Sequence, residues 1–286
     1  MNRWLFVFTV ALWSLAAPDD GTIEISVHAR SIRPGELVML TIVPPGGSDS
    51  VQIRAFDRDV PAFRTGDRTW EALVGIDLDV RPGTYAVSVA AGAARAVHEL
   101  VVEKRMFPTR RLKVDEAFVT PPPSEQARID REAALLAATW KAASPERLWS
   151  GPFVRPVAEP ANSAFGTRSI FNGKPRNAHG GADFLSPAGT PVHSPNAGRV
   201  VVARSLYFSG NTVIVDHGHG LFSMLAHLST IEVREGDRIE AGHVVGKVGA
   251  TGRVTGPHLH WTVRAADARV DPLSLLAVLG QLAPSP

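Results

Sequence analysis

The chain has 286 residues, 44% of them hydrophobic, enough for one large domain or two modest ones with a real core. Its 30 Lys and Arg against 28 Asp and Glu leave a formal charge of +2, too weak to argue for nucleic acid, and no run of Lys or Arg carries interleaved aromatics. There is no cysteine, so disulfides and thiolate metal sites are excluded and any metal must be held by histidine and carboxylate.

The start of the chain reads as an address. Asn2 and Arg3 precede an apolar stretch, Trp4 to Leu15, and Ala16 and Ala17 supply small residues at a cleavage point. This is the pattern of a signal peptide, residues 1–17, too short to span a bilayer comfortably. It predicts an exported protein, periplasmic or extracellular at the cell wall. No later segment is long and apolar enough to span a membrane, so the mature chain is expected to be soluble, and a monomer is favoured.

Residues 18–104 read as a β-sandwich of immunoglobulin-like type. Ile23, Ile25 and Val27 alternate with polar residues, and Leu37 to Val43 is a β-rich run after the turn Arg33-Pro34-Gly35. Val51 to Phe56 alternates again, and Tyr85 to Val89 follows a second Arg-Pro-Gly turn. Short strands parted by Pro-Gly turns are the signature of such a sandwich. Residues 105–150 read as a linker with one helix. Pro121-Pro122-Pro123 is stiff and extended. Ser124 is placed to cap a helix from Glu125 to Ala142, with Ile129, Ala133, Leu136 and Trp140 on one stripe. The stripe is expected to pack on a domain, with a partner-binding helix as the alternative; the tri-proline and helix could also lay the β-sandwich or the helix across the groove and restrict entry.

From Gly151 the chain becomes glycine-punctuated short strands. Residues 151–276 read as a second, β-rich domain of catalytic type, with 277–286 as a tail. Its focus is Gly256-Pro257-His258-Leu259-His260. Trp261, Thr262 and Val263 favour a strand over Leu259 to Arg264. Side chains two apart on a strand share a face, so both imidazoles can face one point. A lone His-x-His is weak, but His179 and Asp183 in His-Gly-Gly-Ala-Asp, and His227 in Ala-His-Leu-Ser, supply further candidate groups.

These motifs carry a resemblance. His179-Gly180-Gly181-Ala182-Asp183-Phe184, Pro187 to Val192, Gly210 to Val213, Ala226 to Ser229, Gly249 to Gly252 and Thr255 to His260 together resemble the M23 metallopeptidases, the LytM and lysostaphin type of peptidoglycan endopeptidase. The match covers nearly half the chain. It implies a mainly β protein: the N-terminal sandwich, the helical linker, and a C-terminal antiparallel β domain of LytM type.

The resemblance implies a zinc ion held by His179, Asp183 and His260, with one position left for water. It assigns His227 and His258 as the two catalytic, non-ligand histidines, without saying which takes the proton. The implied activity is cleavage of peptide cross-links in peptidoglycan through metal-bound hydroxide. Competing readings are a non-catalytic activator of a cell-wall amidase and a wall-binding scaffold. Ser163 to Arg168 resembles the family's entry stretch, and Arg168 is considered for orienting site residues or meeting substrate carboxylates, with a surface salt bridge as the equal alternative. Leu225 departs from an aromatic often found there, which leaves the groove's shape open. His193, His217, His219 and His243 read as structural or surface groups, with His217 considered for a supporting role beside the site.

Overall fold

The structure, a computed structural model, describes residues 21–113, 116, 119–163 and 165–280. The expected signal segment and the last six residues of the expected tail lie outside the described residues. The first eight strands are β1 (Glu24–Ala29), β2 (Leu37–Val43), β3 (Gln52–Ala55), β4 (Arg58–Val60), β5 (Ala62–Arg64), β6 (Trp70–Gly75), β7 (Gly83–Ala91) and β8 (Ala94–Val102). They form two four-stranded antiparallel sheets, ordered β1-β2-β6-β5 and β4-β3-β7-β8. Alternation drives their pairing. Val38, Leu40, Ile42 and Val74 of one sheet meet Ile53, Val87, Val89 and Leu100 of the other in a single core.

The connecting segment contributes β9 (Thr109–Leu112) and α1 (Gln126–Lys141). The expected cap at Ser124 is not made. A 3-10 turn winds through Pro123–Glu125, so the chain is extended at Pro122 and already helical at the cap position, Glu125, where no side chain caps. The inward stripe also differs. Ala133 is exposed while Glu132, Leu136 and Trp140 turn inward, because α1 packs polar as well as apolar groups.

Twelve further strands follow: β10 (Ala161–Ser163), β11 (Arg168–Phe171), β12 (Lys174–Pro175), β13 (Ala182–Phe184), β14 (Pro191–His193), β15 (Gly198–Leu206), β16 (Gly210–Gly218), β17 (Leu221–Ile231), β18 (Arg238–Ile239), β19 (Val244–Val248), β20 (Leu259–Ala265) and β21 (Ala268–Val270). Then α2 (Pro272–Leu279) runs three residues past the expected domain end. Asp271 caps it by accepting from Leu273 N at 3.0 Å, with Pro272 in the first turn. The central sheet runs β10-β13-β20-β17-β16-β15-β18 and is antiparallel. β9 pairs in parallel with β11, beside the β11–β12 hairpin.

β20 alternates cleanly. Leu259, Trp261, Val263 and Ala265 enter the main core, while His260, Thr262 and Arg264 lie on the other face. α1 covers that second face beyond the histidine. Trp140 packs edge-on against Phe222 at 5.5 Å, and Arg264 lies 5.3 Å from the Trp140 ring. Phe222 is opposite Arg264, and Ala226 is opposite His260. The helix therefore sits four residues along β20 from His260, roughly 13 Å at about 3.3 Å per residue.

The two β units interlock. Leu37, Phe63 and Leu73 join Trp149, Phe153, Val270 and Leu275 in one core. Buried Glu36 accepts from Arg30, Arg105 and Ser274, and both arginines also reach Asp271. Arg269 is clamped by Asp77 and Asp79. Burial would raise the Asp77 pKa, but the hydrogen bonds from Arg269 outweigh it and bring it down to about 2.

Candidate metal centre

Each candidate side chain reaches the site by a different local device. His179 is held by backbone pairing on both sides: its N–H donates to Thr167 O at 2.9 Å and its carbonyl accepts from Gly166 N at 2.8 Å. Asp183 and His260 are directly opposed on β13 and β20, so the pleat turns both to one face. His227 arrives through a bulge. On β16, Val213 pairs with Leu225 and Asn211 pairs with Leu228, so Ala226 and His227 together oppose Thr212. The extra residue is absorbed at His227, whose φ of 64° is left-handed. The bulge aims His227 at the site and returns Leu228 to the core. His258 lies just before β20 and bridges to Gly249.

The donors converge. His179 Nε2 is 3.0 Å from Asp183 Oδ1 and 3.0 Å from His260 Nδ1, and His260 Nδ1 is 2.8 Å from Asp183 Oδ1. These three residues form the one group of metal-type donors found among the described residues. Metal bonds of about 2.0–2.1 Å place tetrahedral donors about 3.3 Å apart, so a slight opening of this triangle seats one ion on all three. His260 Nε2 meets Thr262 Oγ1 at 2.9 Å. With that proton given to the hydroxyl oxygen, Nδ1 keeps its lone pair for a metal. His179, Asp183, His258 and His260 keep 15% to 18% of their side-chain surface open, which admits water while limiting it.

Two histidines flank the triangle. His258 Nε2 is 3.9 Å from Asp183 Oδ1, and the His227 and His258 rings are 4.9 Å apart. Backbone carbonyls fix their tautomers. His227 Nδ1 donates to Thr251 O at 2.9 Å, and His258 Nδ1 donates to Gly256 O at 2.9 Å. Both therefore leave Nε2 as the basic nitrogen. Burial, then the neighbouring His260, pushes the His227 pKa down to about 4, so it is neutral at pH 7. Burial likewise lowers His260. For Asp183 burial acts upward, but hydrogen bonds from His179 and His260 prevail and hold it well below the usual carboxylate range.

All five sequence-derived candidates meet here. Other readings are corrected. His217 is fully buried away from the site, bonded to Ala197 O and Ser223 Oγ and packed against Phe153. Leu225 faces the core opposite Trp261, so it does not shape the groove. Thr251 and Thr262, which set the histidine tautomers, were not singled out by sequence; only the position of Thr262, two residues after His260, marked it.

Residues 177–272 match the model of peptidase family M23. Over 83 residues the chain is 45% identical to the peptidoglycan DD-endopeptidase ShyA of Vibrio cholerae, covering 29% of this chain and 19% of that protein. Over 97 residues it is 39% identical to the DD-carboxypeptidase/endopeptidase Mpg of Neisseria meningitidis, covering 34% and 22%. The chain thus spans about a fifth of the length of these curated relatives. A crystal structure from Pseudomonas aeruginosa, assigned to peptidase M23, is 34% identical over 88% of this chain and 97% of its own, with a TM-score of 0.70. Fold, motifs and this nearly full-length likeness agree: the chain belongs to peptidase family M23.

Proposed function

We propose that this protein is a zinc-dependent endopeptidase that cuts peptide cross-links in bacterial peptidoglycan. The observation that carries the reading is the donor triangle of His179, Asp183 and His260 with two tautomer-fixed histidines beside it. Two imidazoles and one carboxylate, with no thiolate, suit zinc and leave a position open for chemistry. Bound zinc lowers the pKa of water to about 7 and polarises a carbonyl.

The chain's own groups supply the rest. With Nδ1 of His227 and His258 each donating to a backbone carbonyl, Nε2 is the nitrogen left for chemistry: one of the two can accept a proton from the attacking water and return that same proton to the leaving amine, while the other stabilises the oxyanion. Their fixed Nδ1 donors prevent ring rotation during transfer. In this reading residues 151–276 form the peptidase unit, the preceding β unit and α1 brace it, and the protein is exported to the wall. No helix among the described residues is long and apolar enough to cross a membrane. The relatives' names favour cross-links between D-alanine and a diamino acid. An amidase activator would not need all three donors together with two tautomer-fixed histidines.

The test is digestion of purified peptidoglycan by the mature protein, with and without chelator, followed by mass spectrometry of the new termini. Cleavage that chelator abolishes and zinc restores supports the reading. Intact cross-links in the presence of zinc refute it.

A further inference from the structure

The loop from Gly249 to Pro257 links β19 to β20 and is fastened at its start. Thr251 Oγ1 donates to Leu228 O at 2.7 Å and accepts from Asn211 N at 2.9 Å, while its carbonyl holds His227. Gly252 seats against the β15–β16 turn so closely that a Cβ would meet Gly210 N at 2.4 Å and Phe208 O at 2.7 Å. Arg253 comes next. Its N–H donates to Phe208 O at 2.9 Å, and its guanidinium lies 4.3 Å from the centre of the Phe208 ring. That ring is propped in turn. Tyr207 packs edge-on to it at 4.9 Å, and Tyr207 N donates to Glu132 of α1 at 2.7 Å.

The guanidinium is thus held rigidly and half-buried, between the residue that orients His227 and the residue that follows as His258. Yet among the described residues no carboxylate or carbonyl accepts a hydrogen bond from it. The arginines at the seam between the two β units are paired instead: Arg30 and Arg105 with Glu36 and Asp271, Arg269 with Asp77. The charge that acts most on Arg253 is a like one, Arg176, three residues before His179. Withdrawing a cation from water without an anion is unfavourable. On a loop whose carbonyls orient His227 and His258, such a cation is suited to an anion brought from outside.

We propose that Arg253 reads a free carboxylate on the amine side of the scissile amide. The inference rests on the endopeptidase reading and narrows its substrate. One of His227 and His258 serves the leaving amine, and Arg253 sits on the loop that holds both. In a cross-link whose amine comes from a diamino-dicarboxylic acid such as diaminopimelate, the carbon bonded to the amide nitrogen carries a carboxylate; a lysine side-chain amine has none there. An internal amide of a glycine bridge carries none. Arg253 selects the first class and gains nothing from the second.

The test uses the full chain loaded with zinc and two uncross-linked stem tripeptides ending in diaminopimelate. One has the carboxylate beside the side-chain amine free; the other has it as a carboxamide. Calorimetry then reads recognition without turnover. The wild type should bind the carboxylate form about 10- to 100-fold more tightly, the range of charge-assisted hydrogen bonds. Arg253→Ala should bind the two forms within about threefold of each other, with zinc content and Tm retained, and Arg253→Lys should restore part of the difference. Wild-type binding that ignores the carboxylate, or discrimination that survives in Arg253→Ala, overturns the proposal. Cross-linked dimers of the same peptides, run in parallel, test the wider reading separately. If the wild type cleaves neither dimer, the endopeptidase reading fails; if it cleaves both at equal rates, only the role of Arg253 fails.

Discussion

Gly181, just before the strand that carries Asp183, lies tight against the strand that carries His260 and offers a graded test of the site. A Cβ at Gly181 would meet Trp261 O at 2.3 Å and the Cε1 and Nε2 atoms of His260 at 2.9 Å. A close C···O contact is about 3.3 Å, so Gly181→Ala must part the strand from the preceding turn by about 1 Å. The obstacle is backbone and cannot swing aside. Overpacking of this kind costs about 1–3 kcal/mol, and a metal site tolerates only about 0.5 Å of displacement. If about 3 kcal/mol falls on metal binding, affinity drops roughly 100-fold at 1.4 kcal/mol per factor of ten.

Gly180 is the matched control, since a Cβ there meets nothing within 4 Å and its φ is not left-handed. Gly180→Ala should keep its metal affinity and gain up to about 1 kcal/mol of stability from a stiffer unfolded chain. Competition with a chromophoric chelator reads the affinities, and thermal unfolding reads the fold. Wild-type affinity in Gly181→Ala, or an equal loss in Gly180→Ala, would show that this close approach does not set the donor geometry.

Three further outcomes follow from other contacts. Thr262→Val removes the group that fixes the His260 tautomer and should weaken metal binding about 10- to 100-fold with little change in Tm, measured by the same competition. Trp140→Ala should cost on the order of 3 kcal/mol in denaturant unfolding, with metal content unchanged because α1 lies well along β20 from His260. Asp77 has a folded pKa of about 2, below its unfolded value of 3.8, so its contribution is present above about pH 5 and lost as pH falls towards 2. Asp77→Asn should therefore be about 2 kcal/mol less stable than wild type near pH 6, and the gap should close by about pH 2.

The site was legible where its chemistry is local in sequence. The period of two from Leu259 to Ala265 places His260 opposite to the core-facing residues, and this is how β20 folds. The bulge at His227 also left a trace. Leu221 and Leu225 keep the even spacing of one face, but the next core residue is Leu228, three further on, which is the slip an extra residue makes. The helix was legible to within one residue at each end, but its cap was not, because a 3-10 turn took up Ser124. Docking of the two β units could not be read. Glu36 and Asp271 are far apart in sequence, and nothing local signals that Arg30 and Arg105 join them. Arg253 was silent for the same reason, since its meaning depends on Phe208, brought beside it from another hairpin.

The central claim is that three residues hold a zinc ion and two others act beside it, one moving the proton and one stabilising the oxyanion. Zinc stoichiometry and cross-link cleavage, measured together for the wild type, Asp183→Ala, His227→Ala and His258→Ala, test it most directly. The account predicts about one zinc per chain and cleavage in the wild type, and neither in Asp183→Ala. It predicts zinc retained in both histidine variants with turnover lower by about 100-fold or more. A full complement of zinc in Asp183→Ala, or wild-type cleavage by His227→Ala and His258→Ala, would contradict it.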